Sequence, residues 1–105
     1  MSVDWRKVAD GTLRMLVLFG HWLALGAWRG RWDYALRSTG ATFHQATNEY
    51  RWSNGAWLRL EVATEGRQER LRGIEITDYE MDDSMRYKDT PEWRALLEMR
   101  RRNVE

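Results

Sequence analysis

Three features of the sequence predict an α+β domain: a four-stranded antiparallel β-meander packed against a long N-terminal helix, with a short C-terminal helix. The first is the apolar run "MLVLFGHWLALGAW", dominated by Leu, Met and Ala, with Val17 its one β-branched residue. The second is a pair of similar turns, "STG" at 38–40 and "SNG" at 53–55, each flanked by alternating apolar residues. The third is "DTPEWRALLEMRRRN", which carries a helix start, an apolar side and a basic end. The 105 residues suffice for one domain, 1–105, with one modest core.

In chain order, Ser2 or Asp4 caps a first turn carrying Trp5 and Val8, which Gly11 separates from the apolar run. Residues 15–27 then read as the long helix. Leu13, Leu16, Phe19 (or Gly20), Leu23 and Ala27 share its apolar stripe, with Arg14 and His21 opposite. The competing account is a pair of strands bent at Gly20, which would make a barrel of the domain. A membrane span needs about 20 apolar residues. This run is shorter, and Gly20, His21 and Gly26 interrupt it. Asp4 and Asp10 spoil the basic start of a signal peptide.

Beyond Gly30 the period falls to two. A three-residue loop ending in glycine uses that residue's left-handed conformation and fixes the strand register. Around STG, Leu36 then faces Thr42, Tyr34 faces His44 and Trp32 faces Ala46. Around SNG, Trp52 faces Ala56, Tyr50 faces Leu58 and Asn48 faces Leu60. The predicted strands are 31–38, 41–52, 56–64 and 70–77. Trp32, Tyr34, Leu36, Tyr50, Trp52, Ala56, Leu58, Leu60 and Val62 share the inner face, and Ile74 and Ile76 join it with a loop over 65–69. On the outer face Arg51 lies opposite Trp57, and Arg59 lies between Glu49 and Glu75, with Phe43 and Trp57 as exposed aromatics. Residues 78–89 read as an acidic loop. The last helix is capped at Thr90 or Asp89, has Pro91 in its first turn, and turns Trp93, Leu96 and Leu97 inward.

Composition narrows the function classes. Seventeen basic against sixteen acidic side chains leave a net charge of +1, which disfavours a protein that coats nucleic acid. With no cysteine there is no disulfide, thiolate metal site or thiol nucleophile, and the cytoplasm is the default compartment. Seven tryptophans and an arginine content far above lysine supply the residues that anchor protein interfaces.

No glycine-rich phosphate loop, nucleophile elbow or catalytic triad is visible, so no catalytic residue, cofactor or metal is assigned. The leading expectation is a non-enzymatic interaction protein, an inhibitor or adaptor docking on a larger macromolecule. Its size and arginine-rich composition fit a product of a bacterial virus or mobile element. Its partner-binding residues are Phe43, Arg51, Trp57 and Arg59 on the sheet, with Asp78, Glu80, Asp82 and Asp83 of "DYEMDD". Clustered carboxylates suit hard cations, but this spacing lacks the glycine and distal glutamate of a calcium loop. Solvated loop acids, or a mimic of phosphate charge for a basic partner, fit better. An alternative is a small-molecule pocket between helix and sheet, lined by Trp32, Tyr34, His44 and Asn48, with His44 as a general base or merely a satisfied polar residue. A further alternative is nucleic-acid binding through Arg29, Arg31, Arg100, Arg101 and Arg102. No membrane association is expected.

Overall fold

The computed structural model describes residues 2–63, 74–86 and 91–101. Over these described residues it is an α+β fold of five strands and three helices: α1 (Trp5–Asp10), β1 (Arg14–Phe19), α2 (Trp22–Ser38), β2 (Thr42–His44), β3 (Glu49–Arg51), β4 (Trp57–Val62), β5 (Asp78–Met81), a 3₁₀ turn (Asp83–Met85) and α3 (Pro91–Arg100). The sheet is mixed, in the order β2-β3-β4-β1-β5. Strands β2, β3 and β4 form an antiparallel meander, while β1 lies parallel to both β4 and β5.

The central correction concerns residues 15–27, which are not one helix. Arg14–Phe19 is the middle strand of the sheet, and Met15 through Phe19 are all buried. Met15, Val17 and Phe19 face the cluster that includes Leu25, Trp28 and Leu58, whereas Leu16 and Leu18 face Ile76, Met85, Trp93 and Leu97. A strand covered on both faces shows no polar alternation, so its run of Leu and Met looks helical by propensity. Gly20 ends it for a steric reason. A Cβ there would lie 2.0 Å from the Ser84 carbonyl oxygen, and the Gly20 N–H donates to Ser84 Oγ at 2.8 Å. His21 then caps α2, its Nδ1 accepting from the Ala24 N–H at 3.2 Å.

Residues 31–38, expected as a strand, are the second half of α2. Leu25, Trp28, Trp32 and Leu36 recur at helical spacing and face the sheet. Trp28 meets Phe19 edge-to-face, with ring centroids 6.0 Å apart. Asp33 takes ion pairs from Arg29 and Arg37, one turn before and one turn after it. STG is therefore the stop of a helix, not the tip of a hairpin. Thr39 is the C-cap, and Gly40, at φ 99°, turns the chain toward β2.

SNG does form the hairpin expected of it. Tyr50 pairs with Leu58, Arg51 with Trp57 and Glu49 with Arg59. Gly55 takes φ 99°, and the Trp52 N–H donates to the Ala56 carbonyl. The Asn54 side chain donates to the Val8 carbonyl at 2.7 Å, tying the turn to the end of α1. Asp4 caps α1, as expected, and Gly11 closes it at φ 80°. The predicted strand 41–52 is broken into β2 and β3 by a turn at 45–48, where Asn48 has φ 52°.

Of the predicted strand 70–77, residues 70–73 lie outside the described residues. Ile76 makes an isolated bridge to Arg101, and both Ile74 and Ile76 pack on the face opposite the one expected. The acidic segment is ordered in part as the edge strand β5 and the 3₁₀ turn, with residues 87–90 outside the described set. The C-terminal helix stands as expected over Pro91–Arg100, turning Trp93 and Leu97 onto the sheet, while its caps Thr90 and Asp89 lie outside the described residues. The long helix covering the meander's apolar face exists, but it is α2, and α3 covers the other face. Among the described residues no helix is long and apolar enough to cross a membrane.

Candidate functional site

Among the described residues, the outer face of α2 carries the two most exposed large hydrophobic side chains, Leu23 and Tyr34. With Leu25, Trp28, Trp32 and Leu36 turned inward, Leu23, Gly26, Ala27, Gly30 and Tyr34 turn outward. Leu23 is 84% exposed, Tyr34 85% and Trp22 51%. This corrects the expected stripe, in which Leu23 and Ala27 were core. A Cβ added at Gly26 or Gly30 would meet nothing within 4 Å. Each glycine costs a solvent-facing helix position roughly 1 kcal/mol relative to alanine. Packing among the described residues explains neither.

The two glycines floor a depression of about 450 Å³ whose other lining residues are Arg29, Asp33 and Tyr34. The Arg29–Asp33 pair is held from below. Tyr50 Oη donates to Asp33 Oδ1 at 2.7 Å, and Arg37 Nε donates to Asp33 Oδ2 at 2.8 Å. The Tyr50 hydrogen bond does most to lower the Asp33 pKa, against the opposing effect of burial, with the Arg37 and Arg29 bonds adding to it. The Arg29 guanidinium also stacks over the Phe43 ring, 3.6 Å from its centroid.

The expected sheet patch is divided between two faces. Phe43 is half-buried on the α2 side, 4.8 Å from the Tyr50 ring. Arg51, Trp57 and Arg59 lie on the opposite side with Glu49. Glu49 is only 3% exposed, and its two oxygens take Arg51 at 3.0 Å and Arg59 at 2.7 Å. Burial pushes the Glu49 carboxyl upward most strongly, but the hydrogen bonds and charges of the two arginines together bring it below its ordinary value. Trp57 is half-buried against the α3-side cluster, with the Arg59 guanidinium 5.3 Å from its ring.

The acidic segment sits at the far edge, beyond β1 from Arg59. Asp78 pairs with Lys7 at 2.9 Å, Glu80 accepts from the Ser2 N–H at 3.1 Å, and Asp82 caps the 3₁₀ turn. Asp82 and Asp83, with Met81, Met85, Arg86 and Arg94, line a shallow groove of about 480 Å³. Asp78, Glu80 and Asp82 are engaged with separate partners, and no group of three or more potential metal ligands converges among the described residues.

The residues of the alternative pocket are dispersed. Trp32 is partly buried under α2, Tyr34 projects to solvent, Asn48 sits in the turn before β3, and His44 is exposed on the edge strand with Nε2 3.2 Å from Thr42 Oγ1. The arginines of the nucleic-acid alternative are also spread out. Arg29 is engaged with Asp33, Arg31 is exposed on α2, Arg101 pairs with Glu98 at 3.6 Å, Arg100 closes α3, and Arg102 lies outside the described residues.

Sequence reasoning missed Gly26 and Gly30. The signal was present, as two glycines one helical turn apart inside a segment with good helix formers on both sides. The chain matches no family model, no curated protein and no solved structure.

Proposed function

We propose that the chain is a non-enzymatic interaction module, an inhibitor or adaptor that docks on a protein through the outer face of α2. The observation carrying this reading is the exposed strip of Leu23, Gly26, Ala27, Gly30 and Tyr34, in which two glycines leave room for close approach and two large apolar side chains flank it. Close approach over small residues, bordered by an aromatic anchor, is a common way for a helix to receive another surface. The sheet face with Arg51 and Trp57 is the competing docking surface. Its charges are largely satisfied within the chain, which favours α2.

The test is affinity capture from lysate of the source organism or its host, washed at low and high salt. The baits are the wild type, Gly30→Leu and the double variant Arg51→Ala/Trp57→Ala. The α2 reading expects one protein retained through high salt by the wild type and the double variant and lost by Gly30→Leu. Loss by the double variant alone would move the site to the sheet. Nucleic acid released by salt would replace the reading with the arginine-mediated one.

A further inference from the structure

We infer that the face of the meander turned away from α2 holds a second site, for the phosphate group of a small phosphate monoester, gripped by Arg51 and Arg59. Strand alternation builds it. Glu49 and Arg51 fall on one face of β3, and the register sets Arg59 opposite Glu49 and Trp57 opposite Arg51. On the edge strand β2, His44 and Thr42 continue the same two rows, and both are exposed.

Glu49 organises the two cations. Its carboxylate is buried and each oxygen takes one arginine, so guanidiniums from different strands are held as neighbours. One carboxylate balances only one of the two charges. A guanidinium carries five N–H donors. Arg51 uses Nε on Glu49 and Nη2 on Thr47, while Arg59 uses Nε and Nη2 on Glu49. Three donors on each are left without a partner among the described residues, and both side chains reach solvent, Arg51 at 45% exposure and Arg59 at 24%. Stability does not call for this arrangement, since a buried ion triad is commonly no better than apolar residues of similar volume. The group around Asp33 is different. Arg29 and Arg37 are its ordinary i,i+4 partners on one helix, and Asp33 is partly exposed.

The unused donors choose the ligand. They outnumber what the two oxygens of a carboxylate, or the two free oxygens of a phosphodiester, can take. A phosphate monoester presents three acceptor oxygens and close to two negative charges at neutral pH, which meets both the spare donors and the surplus positive charge. Half-buried Trp57, with the Arg59 guanidinium 5.3 Å from its ring, gives an attached ring system an apolar flank to lie against.

The test titrates adenosine monophosphate, inorganic phosphate and adenosine into the isotope-labelled wild-type chain and follows the arginine Nε–H resonances by NMR. Saturable shifts at Arg51 and Arg59 are expected with both phosphates, and none with adenosine or at Arg31 on α2. Arg51→Lys keeps the charge but loses the fork, and should weaken adenosine monophosphate by about tenfold, whereas Arg31→Lys should not. Absence of shifts at Arg51 and Arg59, or equal shifts with adenosine, would overturn the site. So would an Arg51→Lys variant that binds as tightly as the wild type, because bulk charge would then suffice. A single-stranded oligonucleotide without a terminal phosphate that binds more tightly than adenosine monophosphate would overturn the monoester in favour of a nucleic-acid backbone. Gly30→Leu, on the other side of the sheet, should leave the titration unchanged, so this site and the docking face of α2 stand or fall separately.

Discussion

Replacing Gly26 and Gly30 with alanine should stabilise the fold. Both positions lie inside α2, both open to solvent, and an added Cβ meets nothing within 4 Å, so no clash opposes the gain. Alanine restricts the unfolded chain and covers helix backbone, which gives about 0.5–1 kcal/mol per site in an exposed helix. Neither added methyl group meets a neighbour, and the two gains together come to about 1–2 kcal/mol. At about 4–8 °C per kcal/mol for a domain of this size, the melting temperature should rise by about 4–16 °C. Thermal denaturation followed by circular dichroism measures it directly. A fall in melting temperature for either single variant would refute the reasoning, because it would mean that the glycine satisfies a contact inside the chain. A rise in stability accompanied by weakened docking is the pattern that the docking reading proposed for this face predicts.

Gly20→Ala should act in the opposite sense. Its Cβ would press on the Ser84 backbone, and a loss of about 3 kcal/mol is expected in denaturant titration, so a near-neutral variant would contradict the close approach. His21→Ala should lose the α2 cap, at about 1 kcal/mol, while His21→Asp should recover it. Glu49→Gln should destabilise by about 2 kcal/mol. That is less than the 3–5 kcal/mol for breaking a fully buried pair, because Arg51 and Arg59 keep some contact with water. Asp33 and Glu49 both have folded pKa values below their ordinary ones, so they stabilise the fold fully above about pH 5. Their contribution should fade as the pH drops through those lowered values. Melting temperature against pH should therefore fall below about pH 4, and less steeply in Asp33→Asn/Glu49→Gln.

How legible each element was depended on how many of its faces are covered. Strand β4 alternates Trp57, Leu58, Arg59, Leu60, Glu61 and Val62, because the meander's second face is only partly covered, and its register with β3 followed from Gly55. α1 and α3 were legible from their termini. Strand β5 was hidden for the reason that edge strands are protected. Its Asp78 and Glu80 put charge on a sheet edge and read as loop, although Lys7 and the Ser2 N–H meet them. The second half of α2 was ambiguous because Trp32, Tyr34 and Leu36 alternate. The Arg29–Asp33–Arg37 ladder at spacing four was the signal that favoured helix.

The misreading of β1 and the missed site have one cause. Joining residues 15–27 into a single helix fixes a phase in which Leu23 and Ala27 continue the stripe of Leu16 and Phe19. That phase turns Gly26 and Gly30 into unremarkable flank positions. The steric demand at Gly20 ends β1, and the His21 cap starts α2 afresh with its phase set by Leu25, Trp28, Trp32 and Leu36. The helix then shows Leu23, both glycines and Tyr34 to solvent together. A helix stabilised only by its inner face has no use for two glycines on its outer one. Among the described residues neither glycine has a contact that would call for it, and the docking surface proposed above rests on that observation.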